Sequence, residues 1–272
     1  MTISTINIRR EKNNSCLNCI TRKFCVSCEL SHLELDEFEE LSRHRRTLHK
    51  GERLFRQGDK FQSLSIIQSG SVKAYVISDD GEQQISGFHF PGELLGLDGV
   101  ESGWQTYGAE ALETSSICDL SFRQFDQLTE RFDSLRQEFY KNLGKQLAGA
   151  KRRMLILGRQ HAEQRIASFI LDIAARTGRR DDGRVMFTMT RHDIANYLGL
   201  AVETVSRILT RFDLIGVVKT QHRSLQIQQL DKLFAIAAGI TAQSIEKKTR
   251  DTASGELRGG LIRSRTIRSN VV

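Results

Sequence analysis

Four of the five cysteines in this chain stand close together near the amino terminus, in the stretch CLNCITRKFCVSC at residues 16–28. Thiols at such spacing can bind a metal, form disulfides or sense redox state, and the spacing alone leaves all three open. The opening residues, MTISTINIRREKNNS, lack the apolar core of a secretory signal, so we expect a cytoplasmic protein with reduced thiols. Metal binding or redox chemistry is therefore favoured over structural disulfides.

Length and composition set wide bounds on the fold. The chain has 272 residues, a net charge of +7 and 39% hydrophobic residues, which fits one large or two modest globular domains. It contains no apolar run of about 18 residues, so the sequence predicts no transmembrane helix and no membrane partner. The positive charge suits nucleic acid or an anionic surface and does not choose between them.

The elements that must position the cysteines begin with a β-rich segment from residue 50 to about residue 120. Apolar runs such as VKAYVI at 72–77 are interrupted by turn signals such as GD at 58–59 and DDG at 79–81. Turns that recur every 7–12 residues or so are typical of a small barrel or roll of antiparallel strands.

A helical period follows, and it has the spacing of a seam between two helices. Apolar residues recur at intervals of 4, 3, 4 and 3, which is an a/d pattern. The seam consists of Leu143, Leu147, Ala150, Met154 and Leu157, and His161 continues the spacing. A core-facing stripe on a lone helix would also fit. Because lysines and arginines flank the seam, we favour a parallel homodimer.

The carboxy-terminal half contains two short helices joined by a glycine. Thr190 and Asp193 have the spacing of a capping box that opens the first helix. Gly199 stands where a tight turn needs a permissive backbone, and the second helix begins near Val202. This pattern predicts a helix-turn-helix, although an ordinary helical hairpin with a solvated outer face has similar spacing.

The outer face of the second helix carries side chains that can read bases. Arginine can bind guanine with two hydrogen bonds, glutamate can accept from cytosine, and serine can bind a base or a phosphate. The predicted DNA-binding residues are Glu203, Ser206, Arg207 and Thr210. The stretches VVK at 217–219 and LQI at 225–227 then flank a polar turn and predict a wing hairpin, with Lys219, His222 and Arg223 near phosphates.

These parts together resemble one family. KGERLFRQGDKFQSLSIIQSGSVKAYVISDDGEQQISGFHFPGELLG, from residue 50, resembles the cyclic-nucleotide-type β-roll of the CRP/FNR transcription regulators. TMTRHDIANYLGLAVETVSRILTRF, from residue 188, resembles the helix-turn-helix of their FNR (fumarate and nitrate reduction regulator) branch. The resemblance implies an α+β fold with an amino-terminal β-roll, a long dimerisation helix and a carboxy-terminal winged helix-turn-helix. The predicted segments are 1–33 (cysteine-rich, cluster-binding), 34–122 (β-roll sensor), 123–160 (dimerisation helix), 161–238 (winged helix-turn-helix) and 239–272 (basic, disordered tail).

The resemblance also assigns the cysteines. FNR proteins hold a four-iron four-sulfur cluster with C-x2-C-x5-C and one distant cysteine, which correspond here to Cys16, Cys19, Cys25 and Cys118. Cys28 lies outside that set and is a spare ligand for the place of Cys25 or an idle thiol. It also completes C-x2-C-x5-C-x2-C, a competing zinc motif. A regulator of the same fold with a zinc or thiol-redox site is therefore the alternative function.

A cyclic nucleotide is not expected in the roll. Relatives that bind one pair its phosphate with an arginine, whereas this chain has no lysine or arginine between Ala74 and Phe122. The resemblance instead implies an oxygen-responsive regulator that is active as a dimer with an intact cluster and is not an enzyme. It would bind palindromic DNA with TTGAT-like half-sites and contact RNA polymerase, with the turn at 79–82 resembling the polymerase-facing loop.

One seam position departs from the family's pattern. Relatives that dissociate readily in air can carry an acidic residue there, where two like charges meet, and this chain has Ala150. The departure predicts that the cluster-free protein dimerises more readily than typical relatives and that its oxygen sensitivity is blunted.

Overall fold

The computed structural model describes residues 15–42, 45–177, 184–221 and 224–241, and all structural statements concern these ranges. The predicted wing-tip residues His222 and Arg223 lie outside them, as does the predicted tail beyond residue 241. Within the described ranges, no helix is long and apolar enough to cross a lipid bilayer.

The amino-terminal segment consists of two short 3-10 turns and one helix. The turns cover Cys16–Asn18 and Arg22–Phe24, and helix α1 covers His32–Leu41. Ser31 caps α1 by accepting from the Glu34 N–H, while the Glu34 side chain accepts from the Ser31 N–H. This capping box satisfies free N–H groups at the first turn and fixes where α1 begins.

A β-roll of eight strands forms the centre of the chain. The strands are β1 (Arg45–Leu48), β2 (Arg53–Phe55), β3 (Ser63–Ser69), β4 (Val72–Ile77), β5 (Gln83–His89), β6 (Leu94–Leu95), β7 (Gly108–Ala111) and β8 (Ser115–Ser121), with a short helix α2 (Gly99–Ser102) after β6. They form two antiparallel sheets in the orders β1-β8-β3-β6 and β2-β7-β4-β5. The predicted antiparallel roll is confirmed.

One turn of the roll requires glycine. Gly70 joins β3 to β4 with φ of +87°, and a Cβ at this position would lie 2.2 Å from Ser115 Oγ. Only a residue without a side chain fits both the left-handed backbone and this close approach to β8.

The single helical segment predicted at 123–160 is two helices in the structure. Helix α3 covers Phe122–Arg131 and helix α4 covers Asp133–Arg159, because Phe132 between them has an extended backbone. The Phe132 ring packs against the amino-terminal core, which holds the break in place. Helix α4 ends at Arg159, so His161 does not continue the seam.

The carboxy-terminal domain is a winged helix-turn-helix. Its elements are α5 (Ala162–Thr177), β9 (Arg184–Met186), α6 (Arg191–Leu198), α7 (Val202–Leu214), β10 (Val218–Gln221), β11 (Ser224–Ile227) and α8 (Leu230–Ala237). The three strands form an antiparallel sheet in the order β10-β11-β9. One apolar core joins these helices to the outer side of β4 and β5, so the domain packs on the roll of its own chain.

Candidate functional site

Four cysteines from two distant parts of the chain surround one small cavity. Cys16, Cys19 and Cys25 come from the amino-terminal turns, and Cys118 comes from β8. Strand β8 lies between β1 and β3, and this places Cys118 beside Arg45 and Ile66 on the face that the turns cover. The chain thus brings together the four residues that the resemblance assigned.

Polar side chains contact three of these sulfurs, and the Ser27 hydroxyl is the partner of Cys25. The Cys16 Sγ lies 3.3 Å from the Ser42 hydroxyl, and the Cys19 Sγ lies 3.1 Å from the Thr21 hydroxyl. The Gln68 amide donates to the Cys19 Sγ at 3.8 Å. Hydroxyl and amide donors of this kind stabilise sulfur when it carries negative charge, as it does in a metal ligand.

Burial raises the pKa of the Cys16, Cys25 and Cys118 thiols and favours their protonated form when no metal is bound. It raises the pKa of Cys118 to about 12 and that of Cys25 to about 11. The charge of Arg45 acts in the opposite direction on Cys118, while the neighbouring thiols raise its pKa further. Since metals bind the thiolate, loading of this site must release protons and place negative charge beside Arg45.

The spacing of the sulfurs matters for the choice of metal. A single zinc ion with bonds of about 2.3 Å holds its thiolates within about 4 Å of one another. Among the described residues, no three cysteine sulfurs lie within 4.8 Å of one another. Each ligand of an iron–sulfur cluster binds a different iron, so its thiolates stand farther apart. Four cysteine thiolates are a donor set that fits an iron–sulfur cluster.

Cys28 points away from this cavity towards helix α4. Its thiol hydrogen-bonds to the Glu138 carboxylate, and the ligand atoms of Cys28, Glu29 and Glu138 lie within 4.8 Å of one another. Glu138 is buried and also pairs with Lys141. Cys28 therefore cannot take the place of Cys25 without a rearrangement of the segment.

The cysteine cavity and the start of α4 share one hydrophobic core. Cys16, Cys25 and Cys118 pack in a cluster that includes Leu135 of α4, with Phe139 at its edge. The cysteine segment and the start of the helix that carries the seam are therefore packed in the same core.

The seam residues of α4 lie on its exposed side. Leu147 is 59% exposed and Met154 is 73% exposed, while Ala150 is half-buried. Leu143 and Leu157 are also exposed, and so is Tyr140, which lies three residues before Leu143 and extends the same spacing. The sequence analysis did not include Tyr140 in the seam. Its position three residues before Leu143 continues the repeat and could have identified it. So many large apolar side chains on one helix are typical of an interface.

The helix-turn-helix has the predicted local geometry. Thr190 Oγ1 accepts from the Asp193 N–H at 3.0 Å, and the Asp193 carboxylate accepts from the Thr190 N–H at 2.8 Å. Gly199 ends α6 with φ of +61°, in the left-handed region. Helix α7 begins at Val202, as the pattern predicts.

Helix α7 has a buried face and an open face. Val205, Leu209 and Phe212 are buried in the domain core. The open face carries the four predicted DNA-binding residues, of which Glu203, Arg207 and Thr210 are exposed and Ser206 is half-buried. Strands β10 and β11 pair antiparallel beside it, and Lys219 on β10 is exposed. A helix whose first two turns offer these side chains can enter a major groove.

Comparison with known proteins agrees with this architecture. A model of the cyclic nucleotide-binding domain matches residues 45–132, and a model of the Crp-like helix-turn-helix domain matches residues 164–236. The transcriptional activator protein anr of Pseudomonas aeruginosa is 38% identical over 237 residues, which is 86% of this chain and 97% of that protein. The fumarate and nitrate reduction regulatory protein of Escherichia coli is 37% identical over 224 residues, which is 82% of this chain and 90% of that protein.

A solved structure gives the same result for the fold. FixK2 from Bradyrhizobium japonicum has a TM-score of 0.66 and 27% identity, and the match covers 73% of this chain and 98% of that one. Fold and site together define a DNA-binding transcription regulator rather than an enzyme. The chain belongs to the CRP/FNR family of transcription regulators, and its curated relatives include regulators of the FNR branch.

Proposed function

We propose that this regulator responds to oxygen through a four-iron four-sulfur cluster held by Cys16, Cys19, Cys25 and Cys118. The observation that carries the proposal is the convergence of these four thiols, from segments about a hundred residues apart, around one buried cavity. When bound, the cluster supplies an oxygen-labile centre. The protein would then act in the cytoplasm on genes for anaerobic or microaerobic growth.

The residues around the site have separate roles in this proposal. Arg45 offsets the negative charge of the bound thiolates, since its charge opposes the rise of the pKa of Cys118. The hydroxyls of Ser42 and Thr21 contact ligand sulfurs. Leu135 and Phe139, in the first turns of α4, pack in the same core as the ligand cysteines, so the order of the cysteine segment would influence the start of that helix.

The active form in this proposal is a homodimer joined along the seam of α4. Pairing of the two seams would bury the exposed side chains of Leu147 and Met154 and remove their apolar surface from water. Two copies of α7 would then face successive major grooves of a palindromic site. Half-sites resembling TTGAT are expected from the FNR branch, and the exposed turn at 79–82 is the candidate contact for RNA polymerase.

Replacement of Arg207 by alanine should weaken binding to the specific site by about 1–3 kcal/mol and relax base preference at one position. The guanidinium is exposed on the open face of α7, and an arginine can donate two hydrogen bonds to a guanine. Titration of a panel of operators, each with one base pair changed, would measure this loss.

The matched control for this prediction is Lys219→Ala on the wing strand β10. If Lys219 contacts phosphate, its loss weakens binding to all operators by a similar factor and leaves base preference intact. An Arg207→Ala profile parallel to that of the wild type across the panel would contradict the role of Arg207 in reading bases.

The proposed cofactor is tested on protein purified without oxygen. About four irons and four sulfides per chain, with a brown chromophore that air destroys, are expected. A colourless protein that contains zinc would refute the iron–sulfur proposal and leave a DNA-binding regulator with another signal.

A further inference from the structure

The first helix of the helix-turn-helix is bound to the roll through one asparagine. The Asn196 Oδ1 accepts from the Ile85 N–H at 2.6 Å, and the Asn196 Nδ2 donates to the Gln83 carbonyl at 2.7 Å. The Gln84 side chain returns a bond to the Asn196 carbonyl, also at 2.7 Å. Strand β5 is the edge of its sheet. Asn196 therefore binds backbone groups on the open edge of the sheet, where no further strand pairs with them.

A lysine forms a second link between the same two units. The Lys73 ammonium on β4 lies 3.3 Å from Glu110 of the roll and 3.4 Å from Asp193 of α6. All three side chains are largely buried. Asp193 also belongs to the capping box at the start of α6, so the same carboxylate stabilises the helix terminus and binds the helix to the roll. Salt screens charge pairs in such partly buried positions less than it screens exposed pairs.

Apolar and hydroxyl contacts surround these links. The Phe88 ring of β5 lies 5.0 Å from the Tyr197 ring of α6 and 6.0 Å from the Phe169 ring of α5, centroid to centroid. The Ser71 hydroxyl donates to the Thr188 hydroxyl at 2.7 Å. The helix-turn-helix therefore packs on the roll through an interface that combines apolar contacts with specific polar bonds.

This docked arrangement leaves the DNA-reading face open. Glu203, Arg207 and Thr210 on α7 are exposed, so the roll does not cover the side chains that would meet DNA. Helix α7 follows α6 after the turn at Gly199, and Leu198 and Val205 pack in the same core. An α6 that is fixed to the roll therefore fixes the direction of α7.

We propose that Asn196 and Lys73 are positioning residues for DNA recognition, which hold the helix-turn-helix on the roll in its DNA-competent orientation. Two reading helices can occupy successive major grooves only at a set separation, so each must be oriented relative to the part of the chain that dimerises. Orientation before binding lowers the entropy lost on the DNA. The inference rests on the DNA-binding function and is independent of the metal at the cysteines.

The test compares two variants from opposite sides of the interface. Asn196→Ala removes the bonds to β5, and Lys73→Met removes the charge from the roll without a change in the helix-turn-helix itself. Each should weaken binding to the specific operator about tenfold. Their preference among operators with single base changes should stay that of the wild type, unlike Arg207→Ala.

A direct readout separates positioning from a general loss of stability. In Asn196→Ala the Ile85 amide loses its acceptor, so its hydrogen exchange should accelerate while exchange in β8 and α7 stays slow. Glu110→Gln is the matched control, because it removes the other partner of Lys73 within the roll. It should retain operator affinity within about twofold.

Two results would overturn the proposal. If both interface variants bind the operator as tightly as the wild type, the contacts do not position α7 for DNA. If they bind the operator more tightly than the wild type, the docked orientation opposes DNA binding instead of favouring it. Wild-type protein that shows no preference for any operator would contradict the proposed DNA recognition itself, which is a separate failure.

Discussion

Cys118→Ala protein purified without oxygen should contain almost no iron, whereas the wild type should contain about four irons per chain. Cys118 contributes the thiol from β8 that faces the three thiols of the amino-terminal turns. Among the described cysteines, no other sulfur comes from the roll. Its loss leaves one iron without a protein ligand, and neither a backbone group nor a solvent molecule replaces a buried thiolate well. Iron and sulfide analysis with an absorption spectrum would measure the effect.

The matched control for this prediction is Cys28→Ala. Cys28 is also a thiol of the amino-terminal segment, but it faces Glu138 rather than the cavity. Iron content should therefore stay at the wild-type level. Alanine is smaller than cysteine, so β8 should accept it, and thermal unfolding of both cluster-free variants would verify this. Full iron in Cys118→Ala, or its loss in Cys28→Ala alone, would refute the ligand assignment.

Ala150→Asp should convert the cluster-free protein from a dimer to a monomer at low micromolar concentration. Ala150 lies at the centre of the seam, between the exposed Leu147 and Met154. An aspartate there would bring two like charges together across the pair of helices, which costs on the order of a kcal/mol or more. Sedimentation of the wild type and the variant, both without metal, would measure the difference.

An Ala150→Asn variant provides the control for size and polarity without charge. It should dimerise more strongly than Ala150→Asp. High salt should reduce the difference in dimerisation affinity between the two variants, because salt screens the repulsion between the aspartates. A wild-type protein that sediments as a pure monomer without its metal would contradict the prediction that Ala150 favours the dimer.

Local features of the fold were predictable because their signals are local. The capping box of Thr190 and Asp193 depends on residues three apart, and the glycine turn at Gly199 depends on one backbone angle. The break between α3 and α4 was not predictable. Phenylalanine is an ordinary helix residue, and Phe132 leaves the helical conformation where it packs on a core built from distant residues.

The residues of the site also divide into those that a local sequence pattern identifies and those that it does not. The spacing of Cys16, Cys19 and Cys25 gave a motif, whereas Cys118 stands in an apolar strand and became a candidate ligand only through the family resemblance. Its place at the cavity depends on β8 lying between β1 and β3. The role of Asn196 had no signal in the sequence, since a polar residue on a helix surface does not identify the strand edge that it will bind.

In the proposed dimer, which is joined along the exposed seam of α4, the response would also depend on the number of copies in the cell. If the active form is a pair, mass action lowers its abundance about fourfold when the total number of chains is halved in the dilute regime. Gene dosage and turnover would then shift the oxygen level at which target promoters respond, even with every cysteine unchanged. Among strains with this same sequence, expression level alone would set different switching points.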